Sequence, residues 1–189
     1  MRKVILILTF CAVYFGKTNG LQSQNLMRYV NPLTGTSNSK ILTRWGAEGG
    51  TYPGAVAPFG FVQLTPETKT GTSRGYDYRD SLIYHFSCTR HFSGYPGGSG
   101  GMIRIMPLGP NATTQPTLNG RPFSHKNELA EPGYYRVLLS DNHTLVETSS
   151  SVHTGMFRFT FPPGEKPDIF ISIPGKTEAG GQQYLKGEF

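Results

Sequence analysis

The spacing His85-x-x-Cys88-x-x-His91 contains residue types that could bind a metal, because imidazole and thiolate are both zinc ligands. The surrounding residues predict a strand, however, and side chains three apart on a strand point to opposite faces. Three ligands are also one fewer than a structural zinc site uses. We therefore predict no metal site here, but a buried Cys88 beside partly exposed histidines. A Cys-His nucleophile pair is disfavoured because neither a helix start nor an orienting acid accompanies the thiol.

Acid-base chemistry would need carboxylates, and four are considered: Asp77, Asp80, Glu128 and Glu131. Two carboxyl groups that cleave a bond between them must be held roughly 5 to 10 Å apart, a distance that sequence does not supply. A turn or surface role is the prediction for all four, and no catalytic residue is assigned. His125 and Glu128 are predicted to brace the turn that leads into the next strand at Tyr135.

Loops rich in glycine and aromatic residues could hold a small ligand. The segment 93–101 has the glycine density of a phosphate-binding loop, but it lacks the Lys-Ser/Thr ending and a following helix, so nucleotide binding has little support. Aromatic faces can stack on the C–H patches of a sugar while polar groups bind its hydroxyls. The predicted substrate-binding residues are Trp45, Tyr76, Tyr78, His91, Ser93 and Gly94. The alternative for each is ordinary packing or turn structure.

The elements that must position these residues are predicted to be strands. Glycine and proline together make up 38 of 189 residues, and the apolar runs are short and rich in aromatic and β-branched residues. The predicted strands are 62–65, 82–87, 102–107, 135–139, 144–149, 156–161 and 169–173. Phe157, Phe159 and Phe161 alternate with polar residues, and Ile169, Ile171 and Ile173 repeat the pattern, so both sets should face a core. The prediction is an all-β, antiparallel twisted sandwich.

The first twenty residues predict an export signal. Residues 1–20 combine two basic residues with a twelve-residue apolar region, which is shorter than the roughly 20 residues of a membrane span. Removing them takes away three of the 18 basic residues and leaves a net charge of +3 against 12 acidic residues. The basic residues are scattered, so nucleic-acid binding has little support. Cys88 is then a single thiol, which excludes an internal disulfide in the exported chain.

Six blocks of sequence resemble one known family. They are YVNPLTGT at 29–36, GTYPGAVAPFGFVQLTPET at 50–68, GYDY at 75–78 with DS at 80–81, FS at 86–87 with SG at 93–94 and MP at 106–107, FSHKNE at 123–128 with PGYY at 132–135, and GMFRFTFP at 155–162. In kind and order they resemble the N-terminal domain of glycoside hydrolase family 92, the calcium-dependent exo-acting α-mannosidases. His91 is the best match to a family histidine.

The resemblance implies a mutarotase-like sandwich over residues 21–189, incomplete at its C-terminal end. It also implies that the general acid, the general base and the calcium ligands belong to a larger helical barrel domain to which nothing here corresponds. The complete enzyme would remove terminal α-linked mannose from glycans with inversion, as in N-glycan degradation. The expected partners are mannose-containing glycans and that C-terminal helical barrel, and this chain itself is expected to need no cofactor.

Two other functions stay open at this point. One is a free-standing secreted carbohydrate-binding module, and the other is an inactive remnant of an enzyme. Asn111 and Asn142 each begin an Asn-x-Thr pattern, which matters for glycosylation only in a eukaryotic secretory pathway.

Overall fold

A computed structural model describes residues 26–37, 50–68, 75–89, 101, 103–109 and 120–173. The export signal predicted over residues 1–20 lies outside these ranges. The described part contains a short 3-10 helix at Leu26–Tyr29 and ten strands. The strands are β1 Ala55–Val56, β2 Gln63–Glu67, β3 Leu82–Ile83, β4 His85–Cys88, β5 Ile103–Pro107, β6 Arg121–Glu131, β7 Tyr134–Leu139, β8 Leu145–Ser150, β9 Gly155–Thr160 and β10 Ile169–Ser172.

The strands form two antiparallel sheets. The first has the order β1-β2-β4-β5-β10, and the second has the order β3-β6-β7-β8-β9. This arrangement confirms the predicted all-β sandwich, and all seven predicted strands are present. The run 82–87 is divided at Tyr84, so that β3 joins the second sheet and β4 the first. Strands β1 and β6 were not predicted.

The core lies between the two sheets. Apolar side chains from β4 and β5 of the first sheet meet those from β6, β7 and β8 of the second, because each sheet buries one face. The buried members of this cluster are Tyr76, Ile83, Phe86, Met106, Phe123, Tyr135, Val137, Leu139 and Val146. Phe157 and Phe159 of β9 pack against it, with their rings stacked at 5.9 Å, as their alternation predicted.

The apolar alternation of β10 faces outward, so the prediction that its isoleucines are buried was wrong. Ile169, Ile171 and Ile173 are 46%, 59% and 37% exposed. The reason is the register with β5, in which Phe170 lies opposite the buried Met106. Directly opposed residues of an antiparallel pair share one face, so Phe170 takes the core side and the isoleucines take the other.

The proline-bearing segment that leads into β2 depends on Gly54 for close packing of two backbone segments. A Cβ built on Gly54 would lie 1.8 Å from the carbonyl oxygen of Leu64. The left-handed conformation in this segment belongs instead to Phe59, whose φ is 57° and whose side chain is fully exposed. Phe59 is part of the turn that the hydrogen bond from Gly60 N–H to the Ala57 carbonyl closes at 2.8 Å.

The second sheet carries an ion pair on the face opposite the core. Arg158 of β9 donates to Glu147 of β8 at 2.5 Å through Nε, and the Tyr134 hydroxyl donates to the same carboxylate at 2.6 Å. Glu147 lies directly opposite both Arg158 and Arg136 in the register. The hydrogen bonds from Arg158 and Tyr134 lower the pKa of Glu147 from 4.5 to about 2.

This lowered pKa predicts an acid-sensitive contribution to stability. Because the folded-state pKa of Glu147 lies below its ordinary value of 4.5, the contribution is complete above that pH and is lost as the pH falls towards about 2. The difference in unfolding free energy between wild type and Glu147→Gln should therefore be largest above pH 4.5 and shrink near pH 2. Urea titrations across this range measure it, with the exposed Glu131→Gln as control. A difference that stays constant with pH would contradict the assignment.

Candidate functional site

The loop 75–80 turns one tyrosine inward and the next outward. Thr68 closes the loop, because its N–H donates to the Gly75 carbonyl at 2.7 Å and its hydroxyl accepts from Asp77 N–H at 2.8 Å. Tyr78 N–H donates to the Thr36 carbonyl at 3.0 Å, which ties the loop to the N-terminal segment. The Tyr76 side chain is therefore buried at 1% exposure, whereas Tyr78 is 41% exposed.

A wide bulge in β6 places His125 beside Glu128. Phe123 pairs with Leu139 and Glu128 pairs with Val137, so four residues of β6 lie opposite Leu138 alone. On a regular strand, side chains three apart point to opposite faces. The bulge removes that restriction, and His125 Nδ1 lies 2.6 Å from Glu128 Oε2. His125 and Glu128 lie within an eleven-residue strand and not in the turn itself, and Glu128 accepts from Tyr135 on the far side of that turn.

The Glu128 carboxylate is fully enclosed and receives three donors. Its side chain is 0% exposed. The Tyr76 hydroxyl donates to both carboxylate oxygens at 2.8 and 2.9 Å, and the Tyr135 hydroxyl donates to Oε1 at 2.7 Å. His125 supplies the third contact. Burial, together with the nearby Glu128, raises the pKa of both tyrosines well above the ordinary value, so both hydroxyls keep their protons and act as donors.

His125 is held by ring contacts as well as by Glu128. Its imidazole stacks on the Tyr78 ring, with centroids 4.0 Å apart and planes at 17°. The Phe123 ring meets it edge-on, with centroids 5.0 Å apart. The His125 side chain is 28% exposed. We call the group formed by Tyr76, Tyr78, His125, Glu128 and Tyr135 the Glu128 cluster. The cluster extends from a buried carboxylate to an exposed aromatic ring.

The predicted substrate-binding residues divide into two sets. Tyr76 and Tyr78 are brought together by the Glu128 cluster, and their role in sugar binding stays a prediction. Trp45, His91, Ser93 and Gly94 lie outside the described residues. Tyr76 has its hydroxyl occupied by Glu128, so it orients other groups, while Tyr78 offers an exposed ring.

A second buried carboxylate was not singled out from the sequence. Glu67 of β2 is 4% exposed and accepts from the Ser87 hydroxyl at 2.5 Å. It lies opposite His85 in the β2–β4 register. Gly101 approaches the same place, since a Cβ there would lie 3.4 Å from Glu67 Oε1. The sequence did contain a signal for this buried carboxylate, because a single glutamate follows the predicted apolar strand 62–65. A glutamate that is buried in such a position is almost always paired with another group.

The carboxylates considered from the sequence have structural surroundings. Asp77 forms a two-point ion pair with Arg79, at 2.9 Å to Nε and 2.6 Å to an Nη nitrogen, and also accepts from the Arg79 N–H. Asp80 N–H donates to the Asp77 carbonyl at 3.0 Å, as in a turn. Glu131 is exposed at the end of β6.

Two residues of the His85-x-x-Cys88-x-x-His91 spacing lie within the described ranges. The predicted burial was wrong for both: His85 is buried on β4, and Cys88 is half-buried because it lies at the end of that strand. His91 lies outside the described residues. Burial raises the pKa of the Cys88 thiol, which makes it a weaker nucleophile. Within the described ranges no group of three or more His, Cys, Asp and Glu side chains is arranged to hold a metal ion.

Asn142 uses its side chain within the β7–β8 turn. Its Oδ1 accepts from Thr144 N–H at 3.1 Å, from the Thr144 hydroxyl at 2.7 Å and from Arg121. Arg121 is itself buried and bonded to Asp141 at 2.8 and 2.6 Å. Asn142 is 6% exposed, so the folded chain hides the nitrogen that a glycan would need. Asn111 lies outside the described residues.

Asn142→Ala should lower the free energy of unfolding by about 2 kcal/mol, because it leaves the buried Thr144 donors and one Arg121 donor without their acceptor. Urea denaturation followed by circular dichroism measures this loss. Asn127→Ala, which changes an exposed asparagine in the β6 bulge, is the matched control and should cost much less. Equal effects of the two changes would contradict the role given to Asn142.

Comparison with known proteins settles the family. The sequence model described as the glycosyl hydrolase family 92 N-terminal domain matches residues 29–188. The chain belongs to this family. No curated protein matches the chain. The family 92 assignment confirms the resemblance seen in the six sequence blocks.

Solved structures of family 92 enzymes share the fold of this chain. The α-mannosidase BT3965 from Bacteroides thetaiotaomicron has 34% identity over 78% of this chain, with a TM-score of 0.65. The inverting mannosidase BT2199 from Bacteroides thetaiotaomicron VPI-5482 has 28% identity over 77% of it, with a TM-score of 0.63. The glycosyl hydrolase ccman5 has 25% identity over 82% of it, with a TM-score of 0.66.

The family 92 chain spans about a fifth of the length of these relatives: 20% of BT3965, 19% of BT2199 and 21% of ccman5. One BT3965 structure contains mannoimidazole.

Among the described residues of the present chain, no helix has the length and apolar character needed to cross a membrane.

Proposed function

We propose that this chain is the scaffold and pocket-wall part of an α-mannosidase that removes terminal α-linked mannose from glycans, and that it is not catalytic by itself. Family 92 membership supports the substrate class, since BT3965 and BT2199 are both mannosidases. The acid and base groups would come from a helical barrel of the kind that the family resemblance implies. Export, calcium dependence and a role in N-glycan degradation belong to the same proposal.

The observation that carries the non-catalytic role is the pairing of the buried carboxylates. In the described ranges Glu128 receives three donors, Glu147 is held by Arg158, and Glu67 accepts from Ser87. A general acid or base needs an oxygen within reach of the proton that it transfers to or from the substrate. Carboxylates enclosed by tyrosine, arginine and serine donors are suited to fixing the shape of the sandwich.

A hydrolysis assay tests this function. The purified 189-residue chain, with and without calcium, should release no nitrophenol from 4-nitrophenyl α-D-mannopyranoside above the buffer rate. A BT3965 chain lacking its matching region should regain hydrolysis when it is co-expressed with this chain and should remain inactive alone. Turnover by the isolated chain would overturn the proposal. Mannoside binding without any restoration of activity would favour a free-standing carbohydrate-binding module.

A further inference from the structure

The His125 imidazole is held in one orientation by several contacts, although its side chain is partly exposed. Glu128 holds Nδ1 at 2.6 Å, Tyr78 covers one ring face at 4.0 Å, and Phe123 meets the ring at 85°. The remaining polar atom is Nε2, and no residue in the described ranges forms a hydrogen bond with it. A ring fixed on these sides holds Nε2 in one direction.

The donors around Glu128 decide which tautomer His125 adopts. The two tyrosine hydroxyls both donate, and a carboxylate can only accept. The short contact between Nδ1 and Oε2 therefore requires the proton to be on Nδ1. In the neutral imidazole the other nitrogen then carries a lone pair, so Nε2 is an acceptor. A carboxylate that fixes a histidine in this way is a positioning residue for the opposite nitrogen.

The surface beside Nε2 combines this acceptor with the Tyr78 ring, which is 41% exposed. An aromatic face binds C–H patches, and an acceptor in a fixed direction binds a hydroxyl. Pyranose rings present both features within a few ångströms of each other. A rigid acceptor also loses little conformational entropy on binding, which favours recognition of a weakly held sugar hydroxyl.

We propose that His125 is a hydroxyl-binding residue for a pyranose, with Glu128 as its positioning residue and Tyr78 as the adjoining apolar surface. The choice of a mannoside as ligand rests on the proposed function. The inferred tautomer of His125 is independent of the proposed function. The sequence had indicated Tyr78 as a substrate-binding residue, and this proposal adds His125 and Glu128 beside it.

The test uses the full chain labelled with nitrogen-15 and long-range proton–nitrogen NMR at neutral pH. His125 should show the Nδ1–H tautomer, while the exposed His153 should show the ordinary solvent-exposed pattern. Added methyl α-D-mannopyranoside should shift the His125 Nε2 resonance and the Tyr78 ring protons. Glu128→Gln should change the His125 tautomer population, whereas the matched Glu131→Gln should leave it unchanged.

A second variant separates binding from folding. His125→Asn places an amide nitrogen near the position of Nδ1 and can still donate to Glu128, but it has no atom at Nε2. It should keep the wild-type fold and weaken mannoside binding about tenfold, the loss of one well-placed hydrogen bond. Unchanged affinity would overturn the inference, as would an Nε2–H tautomer in the wild-type chain.

The two proposals fail in distinguishable ways. If methyl α-D-mannopyranoside shifts other residues but leaves His125 and Tyr78 unmoved, the proposed function stands and this inference is wrong. If the isolated chain hydrolyses the nitrophenyl mannoside, the proposed function is wrong whatever the state of His125. Absence of any response to high millimolar mannoside would overturn the sugar-binding statement even if the Nδ1–H tautomer is found.

Discussion

Replacing Gly54 with alanine should lower the free energy of unfolding by about 3 kcal/mol, at the upper end of the usual cost of overpacking. The new Cβ would lie 1.8 Å from the Leu64 carbonyl oxygen and 2.9 Å from the Thr65 Cα. Both atoms belong to the backbone of β2, so no side-chain rotation can make room. The segment around β1 would have to move away from β2, and the edge of the first sheet would separate with it.

Chemical denaturation followed by circular dichroism measures this loss. Gly164→Ala is the matched control, because an alanine at its φ of +85° would be strained while nothing lies within 4 Å of the added Cβ. That strain alone should cost roughly 1 kcal/mol. Gly54→Ala should therefore be clearly the more destabilising change. If the two variants unfold at the same denaturant concentration, close packing of β1 against β2 is not what requires glycine at position 54.

The fold could be predicted largely because alternation of apolar and polar residues reports strands directly. Phe157 and Phe159 show this, since their spacing identified both the strand and its buried face. The same rule failed for β10, where Phe170 and the flanking isoleucines are apolar on both faces. Alternation then identifies a strand without saying which face is inward, and the register with Met106 decides.

Strand β6 was missed for a related reason. Its sequence, RPFSHKNELAE, mixes proline and charged residues and lacks period-two alternation through the bulge. Because four residues lie opposite Leu138 alone, the alternation of apolar and polar residues that identifies a strand in sequence is interrupted. The irregularity that hides the strand in the sequence also brings His125 and Glu128 together.

The candidate site could be predicted only in part. The aromatic residues of the 75–78 block were recognised by type, and Tyr78 is exposed as a ligand contact would require. The link from Tyr76 to Glu128 joins residues 52 positions apart, so it depends on how loop 75–80 packs against β6. Neither residue type nor spacing contains that information, which explains why Glu128 was assigned to a turn.

Glu128→Gln should lower the free energy of unfolding by about 3 kcal/mol, because it replaces an acceptor-only group with one that also carries donors. The Gln amide nitrogen would face a hydroxyl or imidazole donor that now bonds to a carboxylate oxygen. At least one of Tyr76, Tyr135 and His125 would then lose its acceptor in a fully buried place. The inner end of the Glu128 cluster would loosen first.

Urea denaturation of Glu128→Gln and Glu131→Gln compares the same chemical change three residues apart on one strand. Glu131 is exposed, so its substitution should cost less than about 0.5 kcal/mol. Near-equal stability of the two variants would mean that the tyrosine hydroxyls turn round to accept from the new amide. In that case the cluster would be adaptable, and its carboxylate would not be the group that fixes His125. A large difference would instead mean that Glu128 is a main tie between loop 75–80 and β6, because the Tyr76 hydroxyl reaches its carboxylate from that loop.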